Sequence, residues 1–461
     1  MLRRKLFGTK AFYSRLMALI LPIMIQNGIT NFVNMLDNVM VGRVGTLQMT
    51  GVAVSNQLIF VFNLCVFGAV SGAGIFGAQF FGKGDHKGLR DTFRFKIIFC
   101  TAITLFCMGL FFFCGEELIN LYLKGETNTA DAAASLGFAK GYINIMLIGL
   151  IPYTISQCYS STLRETGQAV LPMISGLAAV GVNLGLNYIL IFGKFGVPAL
   201  GVNGAAIATV ISRFVEFLIL ALWTGLNSGK NKFIIGAFKS LRVPGTLCKQ
   251  IFIRGLPLML NETLWAAGIA TLNQCYSVKG IDVVAANNIS QTFWNVFSVA
   301  FLSVGVAIGI VLGQLLGSGK TDKAMETASQ LITFSVLISI AVGIIYGLVA
   351  KFIPLAYNTT NEVRSLATWL MQISALAMPL EAFVNAAYFT LRSGGKIITT
   401  FLFDCCFVWI ISVPVAFILC NFTSINILPI YAISQGLNLI KCVLGFIFVK
   451  KGAWIRNIVS E

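Results

Sequence analysis

Residues 21–27 read LPIMIQN and residues 256–262 read LPLMLNE, each inside a long apolar stretch and 235 positions apart. At the same offset Gly74-Ile75 returns as Gly309-Ile310, Gln79 as Gln314, and Gly82 and Gly84 as Gly317 and Gly319, with no insertion between. Further on, Leu163-Arg164 with Gly167 recurs as Leu391-Arg392 with Gly395 at an offset of 228, the difference being a change in loop length. The chain is a duplication, and the duplicated unit is hydrophobic.

Of 461 residues, 57% are hydrophobic and 11% charged, with mean hydropathy +0.85, whereas soluble domains carry about 25% charged residues. The apolar stretches run about 20 to 30 residues and are rich in Leu, Ile, Phe, Ala and Gly, which suits membrane helices and not the short alternating segments of a β-barrel. Twelve spans are expected, near 14–38, 47–76, 95–114, 135–160, 169–192, 202–225, 250–275, 283–313, 328–350, 364–390, 398–420 and 427–449. Six spans per half leave both halves in the same orientation, so the repeat is parallel, about an axis along the membrane normal. The expected fold is an all-α polytopic membrane protein of two pseudo-symmetric six-helix bundles, residues 1–230 and 231–461. The join falls in 226–249, which holds Ser228, Gly229, Lys230, Asn231, Lys232, Lys239 and Pro244.

A formal net charge of +16 could suggest nucleic acid, but its distribution argues otherwise. Roughly 24 of the Lys and Arg fall in the N-terminus, the even-to-odd loops and the C-terminus, about seven in the opposite loops and two within spans. Both termini are therefore expected to be cytoplasmic, in a multi-pass protein of the cell membrane. The basic start, Arg3 to Lys10, resembles a signal-peptide n-region, but the stretch after it is too long for an h-region and contains Gln26, Asn27, Asn31, Asn34 and Asp37. It is read as a retained first helix. A single histidine, His86, eleven cysteines without CxxC spacing and no GxxxxGK[ST] loop leave no basis for an enzyme, a cofactor, or a metal other than a transported Na+.

Carboxylates inside spans carry the functional signal, because each costs about 2.5 to 3.5 kcal/mol at mid-membrane. Three stand out: Asp37, Glu262 and Glu381. Asn27, Thr30, Asn34 and Asp37 recur every three to four residues and form one polar face of the first helix. Alternatively, Asp37 ends that helix beside Arg43 in an interfacial ion pair. Glu262 follows Asn261, with Asn273 three turns along the same face. Glu381 heads a face with Asn385 and Tyr388, and the two glutamates are expected within reach of each other. Asn183 and Asn187, one turn apart, are either ligands for Asp37 or a cation, or interhelical glue. The pairs Arg213/Glu216 and Asp404/Lys441 are read as self-neutralising. Trp265, Phe293, Trp294 and Phe297 lie near the Glu262 helix or in the one after it, and rings attract organic cations.

Several stretches together resemble the multidrug and toxic compound extrusion (MATE) family, NorM-like branch, over essentially the full length: LPIMIQNGITNFVNMLDNVMVGRVG, GAQFFGKGD, LRETGQAVLPM, NYILIFGKFGVPALGVNGAAIAT and LRSGGK. The resemblance implies two six-helix lobes and export of cationic, often aromatic compounds by antiport against Na+ or H+. It implies that Asp37 is the helix-1 carboxylate of the N-lobe site, with Asn183, Asn187 and Thr209 as companions. Glu262 matches the helix-7 glutamate, and Glu381 stands where the branch usually has aspartate. Some members carry Asp at the position of Asn187, and that second N-lobe carboxylate is missing here.

The expected mechanism is alternating access. An inward cleft takes a lipophilic cation, the protein turns outward, and entering ions displace the cargo; Pro22 and Pro257 give both first helices a place to bend. Small cationic molecules and the lipid bilayer are the expected partners, and the protein a monomer. Two other readings stay open: a flippase for a lipid-linked precursor, which would favour a cationic cavity, and a non-transporting scaffold or receptor.

Overall fold

The computed structural model describes residues 6–123 and 129–460; the side chains of residues 34, 35, 38, 39, 122, 123 and 129 lie outside the description. The described residues form helices and no strand. Six helices make up the first half: α1 (Lys10–Gly42), α2 (Thr46–Lys83), α3 (His86–Leu123), α4 (Thr129–Glu165), α5 (Val170–Phe192) and α6 (Gly201–Leu226). The second half holds α7 (Gly245–Ser277), α8 (Ile281–Phe297), α9 (Val299–Gly317), α10 (Thr321–Val349), α11 (Asn361–Ser393), α12 (Ile397–Phe422) and α13 (Ile427–Lys451). Since α8 and α9 follow one another across Ser298 alone, there are twelve passes, and the chain is an all-α polytopic membrane protein as expected. Among the described residues, eleven helices are long and apolar enough to cross a membrane. The exception among the long helices is α7, whose 33 residues include Lys249, Arg254, Asn261 and Glu262.

Local chemistry sets the ends. Thr360 Oγ1 accepts the Val363 N–H at 3.3 Å and starts α11, and left-handed Gly193 and Gly452 end α5 and α13. Prolines sit inside the first and fourth passes of each half: Pro22 and Pro152, then Pro257 and Pro379. Two features were not legible beforehand. The chain widens into two π-helical turns within α12, Leu402–Cys406 and Val408–Ser412, and α13 is interrupted at Leu437. Pro414, just after the second π turn, has no N–H and crowds the carbonyl one turn back, a recognised cause of such widening.

The chain divides into two compact units. One comprises Met1–Met24, Ala78–Gly84 and Leu260–Glu461, the other Ile25–Gly77 and Asp85–Met259. Lipid tails are as apolar as side chains, so cohesion comes from close packing of small residues. In the second unit α6 packs on α4 and α5 through Gly204, Ala205, Ala206 and Ala208; a Cβ added at Gly204 would lie 2.6 Å from the Leu190 carbonyl oxygen. The first unit is organised round α11, the least apolar of the eleven, which packs on α8, α9, α10 and α13.

Also in the first unit, the end of α2 crosses the end of α9 in a way that obeys the repeat. A Cβ at Gly82 would strike the Gln314 carbonyl, and one at Gly317 would strike the Gln79 carbonyl. Gln79 and Gln314 are repeat mates, as are Gly82 and Gly317, so the contact is reciprocal, as a two-fold axis demands. The end of the chain docks beside it. Gln79 Nε2 donates to the carbonyls of Ser393 and Arg456 at 3.0 and 3.2 Å, its Oε1 accepts the Ile458 N–H at 2.9 Å, and Trp454 is fully buried.

Candidate functional site

In the unit of Ile25–Gly77 and Asp85–Met259, α1, α5 and α6 bring Asp37, Asn183, Asn187 and Thr209 together. Asn187 Nδ2 donates to Asp37 Oδ1 at 2.7 Å. In the amide orientation that satisfies both of its ends, Asn183 Nδ2 donates to the two Asp37 oxygens at 3.2 and 3.1 Å, and its Oδ1 accepts from Thr209 Oγ1 at 3.3 Å. Both asparagines are buried, on one face of α5, because their spacing is one helical turn. No basic side chain among the described residues pairs with Asp37, Arg43 included, so the expected alternative of an interfacial ion pair is not what forms. Asn34 lies in α1, but its side chain is outside the described residues.

A second ionic cluster in this unit was not anticipated. Lys96 of α3 donates to Glu165 Oε1 and Oε2 of α4 at 2.6 and 2.8 Å and also to Ser161 and Thr162, and both charged residues are buried. Sequence spacing could not show it, since the partners are 69 residues apart. Arg213, read with Glu216 as a neutral pair, also stacks over the Tyr153 ring at 4.9 Å, and its Nη1 is buried with no hydrogen-bond partner among the described residues.

In the other unit, the side chains of α7, α11, α12 and α13 make a continuous network. Tyr388 OH donates to Glu262 Oε1 at 2.8 Å, and Arg392 Nη1 approaches the same oxygen at 3.4 Å. Asn261 Nδ2 lies 3.3 Å from both Tyr388 OH and Asp404 Oδ2, and Lys441 Nζ donates to Asp404 Oδ1 at 3.0 Å. Glu381 accepts from Asn438 Nδ2 at 2.5 Å. The two glutamates thus hydrogen-bond to different partners. Asp404 pairs with Lys441 as read from the sequence, and in addition extends toward Glu262 through Asn261.

The remaining expected residues scatter. Asn273 accepts from Asn287 at 3.1 Å, away from Glu262's hydrogen bonds, and Asn385 Oδ1 is a buried acceptor beside Gly305 with no hydrogen-bond partner among the described residues. Trp294 and Phe297 pack on Tyr346, with centroids 6.5 and 4.7 Å away, while Trp265 is 39% exposed. Arg392 is the clearest omission. The repeated Leu-Arg pair marked it, but its ion pair with Glu262 needed the fold. Among the described residues no group of His, Cys, Asp and Glu could hold a metal ion.

Half-buried carboxylates held by buried amides inside the membrane helices of a duplicated chain are the equipment of a polytopic transporter. The family model MatE matches residues 22–189 and again 257–418, two copies starting 235 residues apart, and the chain belongs to this family. It is 26% identical over 455 residues to the probable multidrug resistance protein NorM of Thermotoga maritima, covering 96% of this chain and 93% of that one. With the multidrug resistance protein MdtK of Pectobacterium atrosepticum it shares 26% over 405 residues, 88% and 87% of the two chains. The fold matches that of a multidrug resistance MATE family transporter solved in an outward-facing conformation, with TM-score 0.85, 19% identity and 96% coverage of each chain. It also matches a MOP superfamily transporter from Pyrococcus furiosus whose binding pocket of reversed polarity suggests a different function, with TM-score 0.83, 18% identity and coverage of 95% and 96%.

Proposed function

We propose that this protein is a secondary antiporter of the cell membrane that exports organic cations, drugs among them, in exchange for Na+ or H+ by alternating access. The observation that carries this reading is Asp37, a carboxylate in a membrane helix held by two asparagine amides and no counter-ion among the described residues. Such a group takes up one positive charge at a time, whether coupling ion or cargo, so binding one displaces the other. Glu262 and Glu381 act as further coupling carboxylates, supported by Tyr388. The names of the similar multidrug resistance proteins agree with a drug cargo. Residues 1–230 and 231–461 are the lobes that move, both termini are cytoplasmic, and the protein works as a monomer without a resident cofactor.

A lipid-precursor flippase would need cations free to meet pyrophosphate. In the first unit Arg392 and Lys441 are each engaged by a carboxylate instead.

Ethidium efflux from cells under an imposed Na+ gradient, then an imposed pH gradient, tests the proposal on the native chain, Asp37→Asn and Glu262→Gln. One gradient should drive efflux in the native protein, and Asp37→Asn should reduce it to the level of cells without the transporter. Efflux in Asp37→Asn equal to native would refute the assignment of Asp37. No efflux under either gradient, with protein in the membrane, would favour the flippase.

A further inference from the structure

Lys441 stands in the middle of α13, 5% exposed. Its Nζ lies 3.0 Å from Asp404 Oδ1 and 5.5 and 5.6 Å from the ring centroids of Phe403 and Phe407. One carboxylate and two aromatic faces around one ammonium is an arrangement that recognises a free cation. The fold is shaped for it. Asp404 and Phe403 lie within the first π turn of α12, and Phe407 follows it, four residues after Phe403. One turn beyond Lys441, Gly445 lets α13 come close; a Cβ there would lie 3.2 Å from Phe403 Cζ and 3.1 Å from Ala387 Cβ.

The charge balance of this unit gives the arrangement its consequence. Glu262, Glu381 and Asp404 face two internal cations, Arg392 and Lys441. Each internal cation removes one place for a mobile one. Arg392 also contacts Tyr388 and stacks on Phe389, so its position is fixed several ways. Among the described residues the only carboxylate oxygen within hydrogen-bond reach of Lys441 is on Asp404.

We propose that the Lys441 ammonium is a tethered cation filling a monovalent-cation site built from Asp404, Phe403 and Phe407, so that this unit takes one mobile cation fewer than its carboxylates would otherwise hold. The ligand class is an alkali ion or a small primary ammonium. Occupancy of the site reaches Glu262 through Asp404 Oδ2, Asn261 and Tyr388. Its meaning for ion counting rests on the antiporter reading; the site itself does not.

The test is cation-dependent thermal unfolding of the purified full-length protein in detergent, with Na+ or ethylammonium replacing N-methylglucamine at constant ionic strength. Lys441→Ala opens space for ethylammonium, and Lys441→Gln removes the charge while keeping a polar side chain. Both variants should show a saturable rise in unfolding temperature with ethylammonium or Na+ beyond any rise in the native protein, and the gain should vanish in Asp404→Asn/Lys441→Ala. A response no larger than native, or one that survives loss of Asp404, overturns the proposal. So does failure of both single variants to fold while Asp404→Asn/Lys441→Met folds, because Lys441 would then be a counter-charge no mobile cation replaces. Absence of drug efflux in the native protein would refute the antiporter reading and leave this result untouched.

Discussion

Lys96 and Glu165 show how much a single side chain can matter in this solvent. Each is buried, their closest approach is 2.6 Å, and Ser161 and Thr162 complete the donors and acceptors around them. Removing one partner of a buried ion pair strands the other charge and costs about 3–5 kcal/mol, whereas removing both often costs little. Lys96→Met should therefore destabilise the protein more than Lys96→Met/Glu165→Leu does, as read by thermal unfolding in detergent. Equal unfolding temperatures would mean that water reaches the pair and that it is not structurally committed. Asp37 is the opposite case, a half-buried carboxylate met only by amides among the described residues, and the efflux prediction for Asp37→Asn follows from that difference.

Among the elements, the segment after α13 is the one whose role was least visible in its composition. Trp454 is fully buried, its Nε1 donates to the Val449 carbonyl at 3.1 Å, and Gly394 faces its backbone where a Cβ would not fit. Gln79 spans the crossing of α2 and α9 and this segment, with both ends of its amide used. Truncating a buried Trp to Ala costs about 3–5 kcal/mol. Trp454→Ala should lower the unfolding temperature clearly, while Lys451→Ala, an exposed charge at the end of α13, should change it much less. Indistinguishable losses would show that the segment is held by charge and not by the docked ring.

For the whole molecule, the duplication makes a prediction no single element could. Gly82 meets the Gln314 backbone as Gly317 meets that of Gln79, and the four residues are two pairs of repeat mates. Substituting valine at either glycine should force the helices apart by the same mechanism, so Gly82→Val and Gly317→Val should lose stability and efflux to similar extents. A severe effect at one position and none at the other would mean that the crossing is not symmetric in solution.

The sequence alone determined the class and the repeat, because both are written in local and periodic terms: apolar runs long enough for a bilayer, a Pro and Gly pattern returning at one offset, and carboxylates where lipid forbids them unless they serve a purpose. It also placed Asn183 and Asn187 on one face, since one turn of helix decides that. Only the tertiary structure decided which charges meet. Whether Asp37 would find Arg43 or the asparagines, whether Glu262 would face Glu381 or Arg392, and whether Lys96 in α3 would reach Glu165 in α4 depend on how helices distant in sequence pack and rotate. The π turns of α12 belong with these. They place Asp404 against both Asn261 and Lys441. A residue count along a regular helix could not locate that rotation, because the widening depends on neighbours that only the folded chain supplies.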